Sequence, residues 1–213
     1  SGFDTTAFSD PPEPAATRAR LGIAPEDFVI GTVSRIAPLK GHADLLEAVT
    51  GILPSFPRIR ILFVGDGSLR PEIEAKTRAL NLEKHVIFTG LVPPAEVPRY
   101  IGAMDCVAHL SQREALARVL PQALTAGKPI LAYEFDGADE LCISGETGFL
   151  IPIGDTGNVA ERLLQLASDP ALRHDLGRRG RKLVAERFSI ERMVEQQAEV
   201  YRRLAKARGI PTQ

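Results

Sequence analysis

Short apolar runs alternate with longer segments of helical period along most of the chain. Residues 28–33 and 59–64 are apolar and rich in β-branched side chains, and residues 86–88, 106–110 and 130–132 are shorter runs of the same kind. Continuous apolar runs of this length are typical of parallel strands that are buried on both faces. Because strand–helix units repeat about five times, the pattern predicts an α/β fold in which helices cover both faces of a Rossmann-like parallel sheet.

The pattern becomes helical after residue 152 and stays so. It predicts one helix to about residue 168 that is capped by Asp155 or Thr156, a second over 170–187 and a last one over about 189–206. Further upstream, apolar positions of helical period predict helices over 42–53 and from about residue 70 to 80, and a short one over 94–103. Another is predicted to include Glu114 in its first turn and to close on Gly127.

Polar or glycine-rich segments follow four of the predicted strands. Ligands of open parallel sheets bind beyond the carboxyl ends of the strands, so these segments are the candidate site. Arg35 and Lys40 follow the first strand, where they either bind phosphate oxygens or remain solvated surface cations. The turn at 65–67 is either a phosphate loop or a tight strand-to-helix turn. Glu114 either caps backbone N–H groups or faces the hydroxyls of a ligand.

Composition, charge and cysteine spacing argue against several classes of function and indicate no particular one. The formal net charge of −1 gives no broad attraction to nucleic acid, and we expect no nucleic-acid partner. The two cysteines have neither metal-ligand nor redox spacing, which favours a reducing compartment, and we predict a cytoplasmic protein. No apolar run approaches the ~18 residues that a bilayer span needs. A plain dehydrogenase is not expected, because no Gly-x-Gly-x-x-Gly with a ribose-binding acid ~20 residues further on follows the first strand.

The order of the motifs resembles the carboxyl-terminal half of the family 4 retaining glycosyltransferases of group 1, which have the GT-B fold. The resemblance covers Arg-x4-Lys-Gly at 35–41, Val-Gly-Asp-Gly at 64–67, a Glu at 114, Gly-x-Pro at 127–129 and Gly-x-x-Gly-Phe-Leu at 145–150. Two positions depart from the family pattern. Gln122 stands where the second Glu of Glu-x7-Glu is usual, and Ala-Leu-Ala replaces Gly-Phe-Gly at 115–117.

The resemblance implies a metal-independent enzyme, without a cofactor, that transfers a sugar from a nucleoside diphosphate sugar to a glycan, lipid or small-molecule acceptor, as in polysaccharide biosynthesis. It implies that Arg35 and Lys40 stabilise the leaving diphosphate, that Glu114 binds sugar hydroxyls and that Gln122 lies at the ribose. With Arg35, Lys40 and Glu114 as catalytic residues, the implied substrate-binding residues are Gly41, Gly65, Asp66, Gly67, Leu91, Val92, Ser111, Ala115, Leu116, Ala117, Arg118, Val119 and Gln122.

The same resemblance divides the chain into an interdomain-like connector at 1–14, a donor-binding domain at 15–187 and a carboxyl-terminal crossover helix and tail at 188–213. It implies a missing amino-terminal domain that binds the acceptor, an inactive isolated domain, and peripheral membrane association of the full-length protein as an expectation. Two other classes stay open, a non-catalytic nucleotide-binding relative and a nucleotide-sugar epimerase of the same architecture.

Overall fold

The computed structural model describes residues 6–114, 117–135 and 137–208. Within these residues one parallel sheet has the strand order β3-β2-β1-β4-β5-β6. The strands are β1 (Phe28–Val33), β2 (Ile59–Val64), β3 (Val86–Gly90), β4 (Cys106–His109), β5 (Ile130–Tyr133) and β6 (Gly148–Ile151). The chain builds outward from β1 to β3, returns to the centre, and builds outward again from β4. The switch point of this Rossmann order therefore lies between β1 and β4.

Helices cover both faces of the sheet. They are α1 (Thr6–Ser9), α2 (Pro14–Arg20), α3 (His42–Ile52), α4 (Arg70–Ala79), α5 (Val97–Ala103), α6 (Val119–Thr125), α7 (Thr156–Ser168), α8 (Pro170–Arg187) and α9 (Ile190–Ala207). Two short 3-10 turns, Pro94–Glu96 and Ala138–Glu140, precede α5 and follow β5. Asp155 caps α7 and Asp169 caps α8, each by accepting a bond from a backbone N–H three residues on.

Two apolar cores separate the helices by face. Side chains alternate along a strand, so Ile30 of β1 points into one core and its neighbour Val29 into the other. The Ile30 core packs under α3 and α7, and the Val29 core packs under α5, α6 and α8. The predicted fold class, a Rossmann-like parallel sheet covered on both faces, is confirmed.

Most predicted elements agree with the structure, and one differs where it matters for the site. The predicted strands at 28–33 and 59–64 and the helix at 170–187 have the observed bounds, whereas β6 was not predicted as a strand. The helix expected to include Glu114 begins only at Val119. Glu114 therefore lies in the loop that precedes α6, and its assignment to the first helical turn is wrong.

The ends of the chain pack differently from one another. Phe8 of α1 is buried against the core under α5 and α6. In contrast, α9 exposes Val194, Tyr201 and Leu204. The division of the chain at residues 14 and 187 stays a prediction. A search of the described residues for an apolar helix long enough to cross a bilayer finds none.

Candidate functional site

A cavity of about 380 Å³ opens at the switch point, between the loops that follow β1 and β4, and we call it the central cavity. The predicted site residues that line it are Arg35, Lys40, Glu114, Ala117, Arg118, Val119 and Gln122. Its other lining residues are Val33, Ser34, Pro94, Val97 and His109, none of which was predicted. The carboxyl ends of β1 and β4 thus bring cationic, acidic and amide groups to one place, as the topology requires.

An ion pair crosses the central cavity. Lys40 Nζ donates to Glu114 Oε2, and the two side chains are only 15% and 22% exposed. Gly41 positions Lys40, because a Cβ at Gly41 would lie 2.2 Å from the backbone oxygen of Leu110. The absence of a side chain at Gly41 lets the β1 loop approach the end of β4. The predicted role of Gly41 in substrate binding is not tested, but its position in the structure has a packing reason.

Ser111 ties the same two loops together from outside the central cavity. Its side chain is fully buried, and its hydroxyl lies 3.2 Å from the backbone oxygen of Leu39 and 3.0 Å from that of Arg113. The backbone N–H of Gln112 also donates to the Leu39 oxygen, at 2.9 Å. These contacts hold the start of the β4 loop against the β1 loop.

Two buried histidines flank the ion pair. Burial, with a smaller contribution from Lys40, lowers the pKa of His42 from 6.5 to about 4, and its Nε2 lies 3.3 Å from Ser34 Oγ. Burial also lowers the pKa of His109 to about 4, although Glu114 opposes the shift. Nε2 of His109 lies 3.7 Å from Glu114 Oε2. Both rings are therefore neutral near pH 7.

The Gly65–Asp66–Gly67 turn supports the β1 loop without lining the central cavity. A Cβ at Gly65 would lie 2.0 Å from the Ser34 backbone oxygen, and one at Gly67 would lie 2.4 Å from that of Ile36. Asp66 accepts from the Gly67 N–H and from Arg70 Nη1, each at 2.8 Å, and these bonds lower its pKa. Of the two interpretations of this turn, the geometry favours close packing of the loops over direct phosphate contact.

The other predicted site residues are distributed unevenly. Leu91 is 85% exposed and Val92 is half-buried against the core, and neither lines the central cavity. Ala115 and Leu116 lie outside the described residues. Arg118 and Gln122 are four positions apart at the start of α6, which places them on one helical face, and both line the central cavity. Glu114 joins them there from the loop and not from the same helical face.

The described residues contain no group of three His, Cys, Asp or Glu side chains arranged to hold a metal ion. Both cysteines are buried, and burial raises the pKa of Cys142 to about 12 and that of Cys106 as well. They are therefore protonated thiols that pack as small apolar side chains.

The family model for "Glycosyl transferases group 1" matches residues 15–183, most of the chain. This chain belongs to the group 1 glycosyltransferases. Among curated relatives, the N-acetyl-alpha-D-glucosaminyl L-malate synthase of Bacillus anthracis is 29% identical over 184 residues, which cover 86% of this chain and 48% of the relative. The chain spans about half the length of the curated relatives it matches.

Two solved structures have the same fold. HepE of Anabaena, determined in complex with UDP, superposes with a TM-score of 0.86 at 29% identity, over 94% of this chain and 55% of HepE. The carboxyl-terminal domain of the group 1 protein LpcC from Francisella tularensis gives a TM-score of 0.80 at 25% identity, over 89% of this chain and 100% of that domain. The predicted family and its GT-B type of fold are thereby confirmed.

Proposed function

We propose that the central cavity binds a nucleoside diphosphate sugar and that this chain is the donor-binding domain of a retaining glycosyltransferase. One observation carries the proposal. In a group 1 glycosyltransferase chain, a cavity at the switch point of the sheet holds Arg35, Lys40, Glu114 and Gln122 together. Two cations suit a diphosphate, and a carboxylate and an amide suit the hydroxyls of two sugar rings.

We propose that Arg35 and Lys40 bind the diphosphate. Arg35 is exposed at the mouth of the central cavity and makes no hydrogen bond or ion pair with any described residue. Its planar guanidinium is therefore free to bind two phosphate oxygens at once. Lys40 lies deeper and adds a point charge. Both would stabilise the negative charge that develops on the leaving diphosphate, a role for which we propose that no metal is required.

Glu114 and Gln122 are proposed to bind the two sugars of the donor. The Glu114 carboxylate accepts hydrogen bonds from hydroxyls of the transferred sugar, and the Gln122 amide both accepts from and donates to the ribose diol. An amide lacks the charge-assisted bond of a carboxylate, so we expect a weaker hold on the ribose than the family's usual Glu would give.

Similar solved structures suggest the first ligand to test. HepE was determined with UDP and with UDP-glucose, so uridine diphosphate is our proposed leading candidate, ahead of GDP and ADP. Calorimetric titration of this chain with the three diphosphates and with the matching nucleosides tests the proposal. We expect one diphosphate to bind far more tightly than its nucleoside. Failure of all three diphosphates to bind would overturn the donor-site assignment.

Turnover needs a separate test with the full-length protein. We expect these 213 residues alone to bind the nucleotide and to transfer no sugar, since we propose that a further domain binds the acceptor. Transfer with retained anomeric configuration by the full-length protein would support the enzyme proposed here. Binding without turnover would favour the non-catalytic relative, and release of nucleotide with an epimerised sugar would favour the epimerase.

A further inference from the structure

His109 is a polar residue of the central cavity whose Nε2 has no hydrogen-bond partner among the described residues. It is the last residue of β4, its side chain is 7% exposed, and its ring packs edge-on against Phe135 with centroids 5.5 Å apart. Nε2 is buried and makes no hydrogen bond with any described residue. Buried polar atoms are nearly always paired in native structures, so this nitrogen calls for an explanation.

The carboxylate of Glu114 lies close to this nitrogen but is already held by another residue. Nε2 of His109 lies 3.7 Å from Glu114 Oε2, which is too far for a hydrogen bond. The same oxygen accepts from Lys40 Nζ. One carboxylate oxygen thus lies between a lysine that holds it and a histidine that does not. A shift of about 1 Å would bring the carboxylate within hydrogen-bond distance of the ring.

A diphosphate would compete with Glu114 for Lys40. Both are anionic, and the lysine is a single positive charge on a flexible stem. We propose that His109 is a positioning residue: as Lys40 turns to the diphosphate, His109 Nε2–H donates to Glu114 and holds its carboxylate toward the sugar. This inference rests on the function proposed above. On this proposal, Nε2 of His109 gains its hydrogen-bond partner when the diphosphate binds.

A neutral imidazole suits this role better than a second cation would. Burial keeps the ring of His109 uncharged near pH 7, and the titratable groups that act on it are Glu114, Lys40 and His42. A neutral N–H donor can hold the carboxylate without drawing it away from the sugar hydroxyls as a full charge would. The packing against Phe135 fixes the ring, so little side-chain entropy is lost when the bond forms.

Nitrogen-15 NMR of the imidazole ring tests directly whether the Glu114 carboxylate exchanges Lys40 for His109 as its donor, a change that we call the handover. We expect saturating UDP, GDP or ADP, whichever binds, to fix the proton on Nε2 of His109 and to slow its exchange with water, whereas the nucleoside does not. The Lys40→Met variant should show the same protected proton without ligand, because its Glu114 has lost the lysine. Lys76→Met is the matched control, since Lys76 pairs with Glu47 on the remote α3–α4 surface. In Glu114→Ala, the protected proton should be absent.

Binding measurements on two His109 variants add a second readout. We expect His109→Leu to weaken diphosphate binding about 3- to 10-fold, the effect of one hydrogen bond, and to leave nucleoside binding unchanged. His109→Gln keeps an N–H donor and should bind the diphosphate within about twofold of the parent. A merely structural role would weaken both ligands alike and would not be rescued by glutamine. Thermal melting checks that each variant is folded, and the NMR arm on the parent chain does not depend on them.

The outcomes separate this inference from the proposed function. If a diphosphate binds but the Nε2 proton of His109 is unchanged, or if it changes equally with the nucleoside, the handover is wrong and the donor site stands. If none of the three diphosphates binds, both proposals fall. Protection of the proton by diphosphate, mimicked by Lys40→Met and lost in Glu114→Ala, supports the role assigned to His109.

Discussion

Charged side chains of the same types lie at both ends of the strands, but they are bonded to the protein to different extents. At the amino end of the strands, which we call the amino edge, several charged side chains are engaged by the protein. Asp105 Oδ2 accepts from Arg18 Nη2 and from the backbone N–H of Val29, each at 2.7 Å. Arg60 Nε donates to Asp27 Oδ2 at 2.9 Å. Every one of these bonds joins segments distant in sequence, so they lock the strands together.

At the carboxyl end of the strands, the carboxyl edge, the polar groups of the central cavity stay available. There Arg35 has no partner in the part of the chain that the structure describes, Nε2 of His109 is likewise unpaired, and Lys40 and Glu114 hold only each other. Residue type alone therefore does not mark a binding site. What marks it is a set of charged and polar groups that the fold brings together and leaves incompletely bonded.

Acidification should act on the carboxyl edge first and give the largest effect. The folded pKa of His42 and His109 is about 4, against 6.5 for an unperturbed ring. The unfolded chain therefore binds protons at these rings as the pH falls below about 6.5, while the folded chain does not until about pH 4. Stability is complete above that window and lost across it, by roughly 2 kcal/mol for each ring and about 4 kcal/mol for both at about pH 5.

Urea denaturation at several pH values checks this expectation. His42→Gln keeps an amide that can bond Ser34, and it should remove about half of the pH dependence. At the amino edge, hydrogen bonds and charge from Arg60 lower the pKa of Asp27 against the opposing effect of burial, so its contribution is lost only below about pH 3.8. A free energy of unfolding that is constant between about pH 7 and pH 5 would contradict the prediction.

Breaking the amino edge should destabilise the fold and spare binding. Asp105→Ala removes the acceptor of Arg18 Nη2 and of the Val29 N–H, and the side chains of the ion pair are only 17% and 21% exposed. We expect a loss of about 2–3 kcal/mol in the free energy of unfolding. The matched control is Glu47→Ala, which removes a surface partner of Lys76 and should cost under about 1 kcal/mol. Weakened diphosphate binding in a still-folded Asp105→Ala protein would break the distinction between the edges.

Removing a charge from the carboxyl edge should have the reverse effect. Arg35→Ala deletes an exposed side chain without a protein partner in the described residues, so stability should hardly change. Diphosphate binding should weaken by about 2 kcal/mol, the usual effect of losing a charged hydrogen bond, and nucleoside binding should not. Arg58→Ala, another exposed arginine placed just before β2 at the amino edge, is the control. Equal losses for diphosphate and nucleoside would show that Arg35 does not contact phosphate.

The smallest expected effect comes from restoring the family's usual acid. Gln122→Glu should tighten diphosphate binding by about 1 kcal/mol or less, because desolvation of the new charge and repulsion from Glu114 offset part of the gain. The gain should depend on the ribose hydroxyls. Calorimetry with ribonucleotide and 2′-deoxyribonucleotide measures it, and an equal change for both sugars would place Gln122 away from the ribose.

The sheet was largely predictable from sequence because its signals are local. The strands at 28–33 and 59–64 are short segments dominated by apolar and β-branched residues, interrupted in the second only by Arg60, and such segments favour buried strands. The start of α6 was not predictable in this way. The residues from Glu114 to Arg118 are good helix formers, yet the observed helix begins at Val119. Bonds from Ser111 and Gln112 to the Leu39 oxygen hold the start of this segment against a distant loop, a contact that local sequence does not show.

The candidate site was predictable only where a local motif marked its residues. Arg35, Lys40, Glu114 and Gln122 were found by their motif, and the strand order brings them together. His109 was overlooked because it ends an apolar run and looks like a core residue. Its place as the last residue of a central strand was the available signal. The packing role of Gly65 and Gly67 could not be read from sequence, since it depends on the Ser34 and Ile36 oxygens of another loop.

The pairing of β1 with β4 has a consequence for how the chain folds. Ile30 pairs with Cys106, the longest sequence separation of any strand pairing in the described sheet, whereas the other pairings join strands that are consecutive in the chain. Closing that long loop has the largest entropy cost of these pairings, so we expect β1 and β4 to pair last. Each half of the sheet should therefore gain structure before the halves meet. The central cavity spans this last seam. During refolding, nucleotide binding should therefore appear only with the slowest phase, which makes a fluorescent nucleotide a reporter of complete folding.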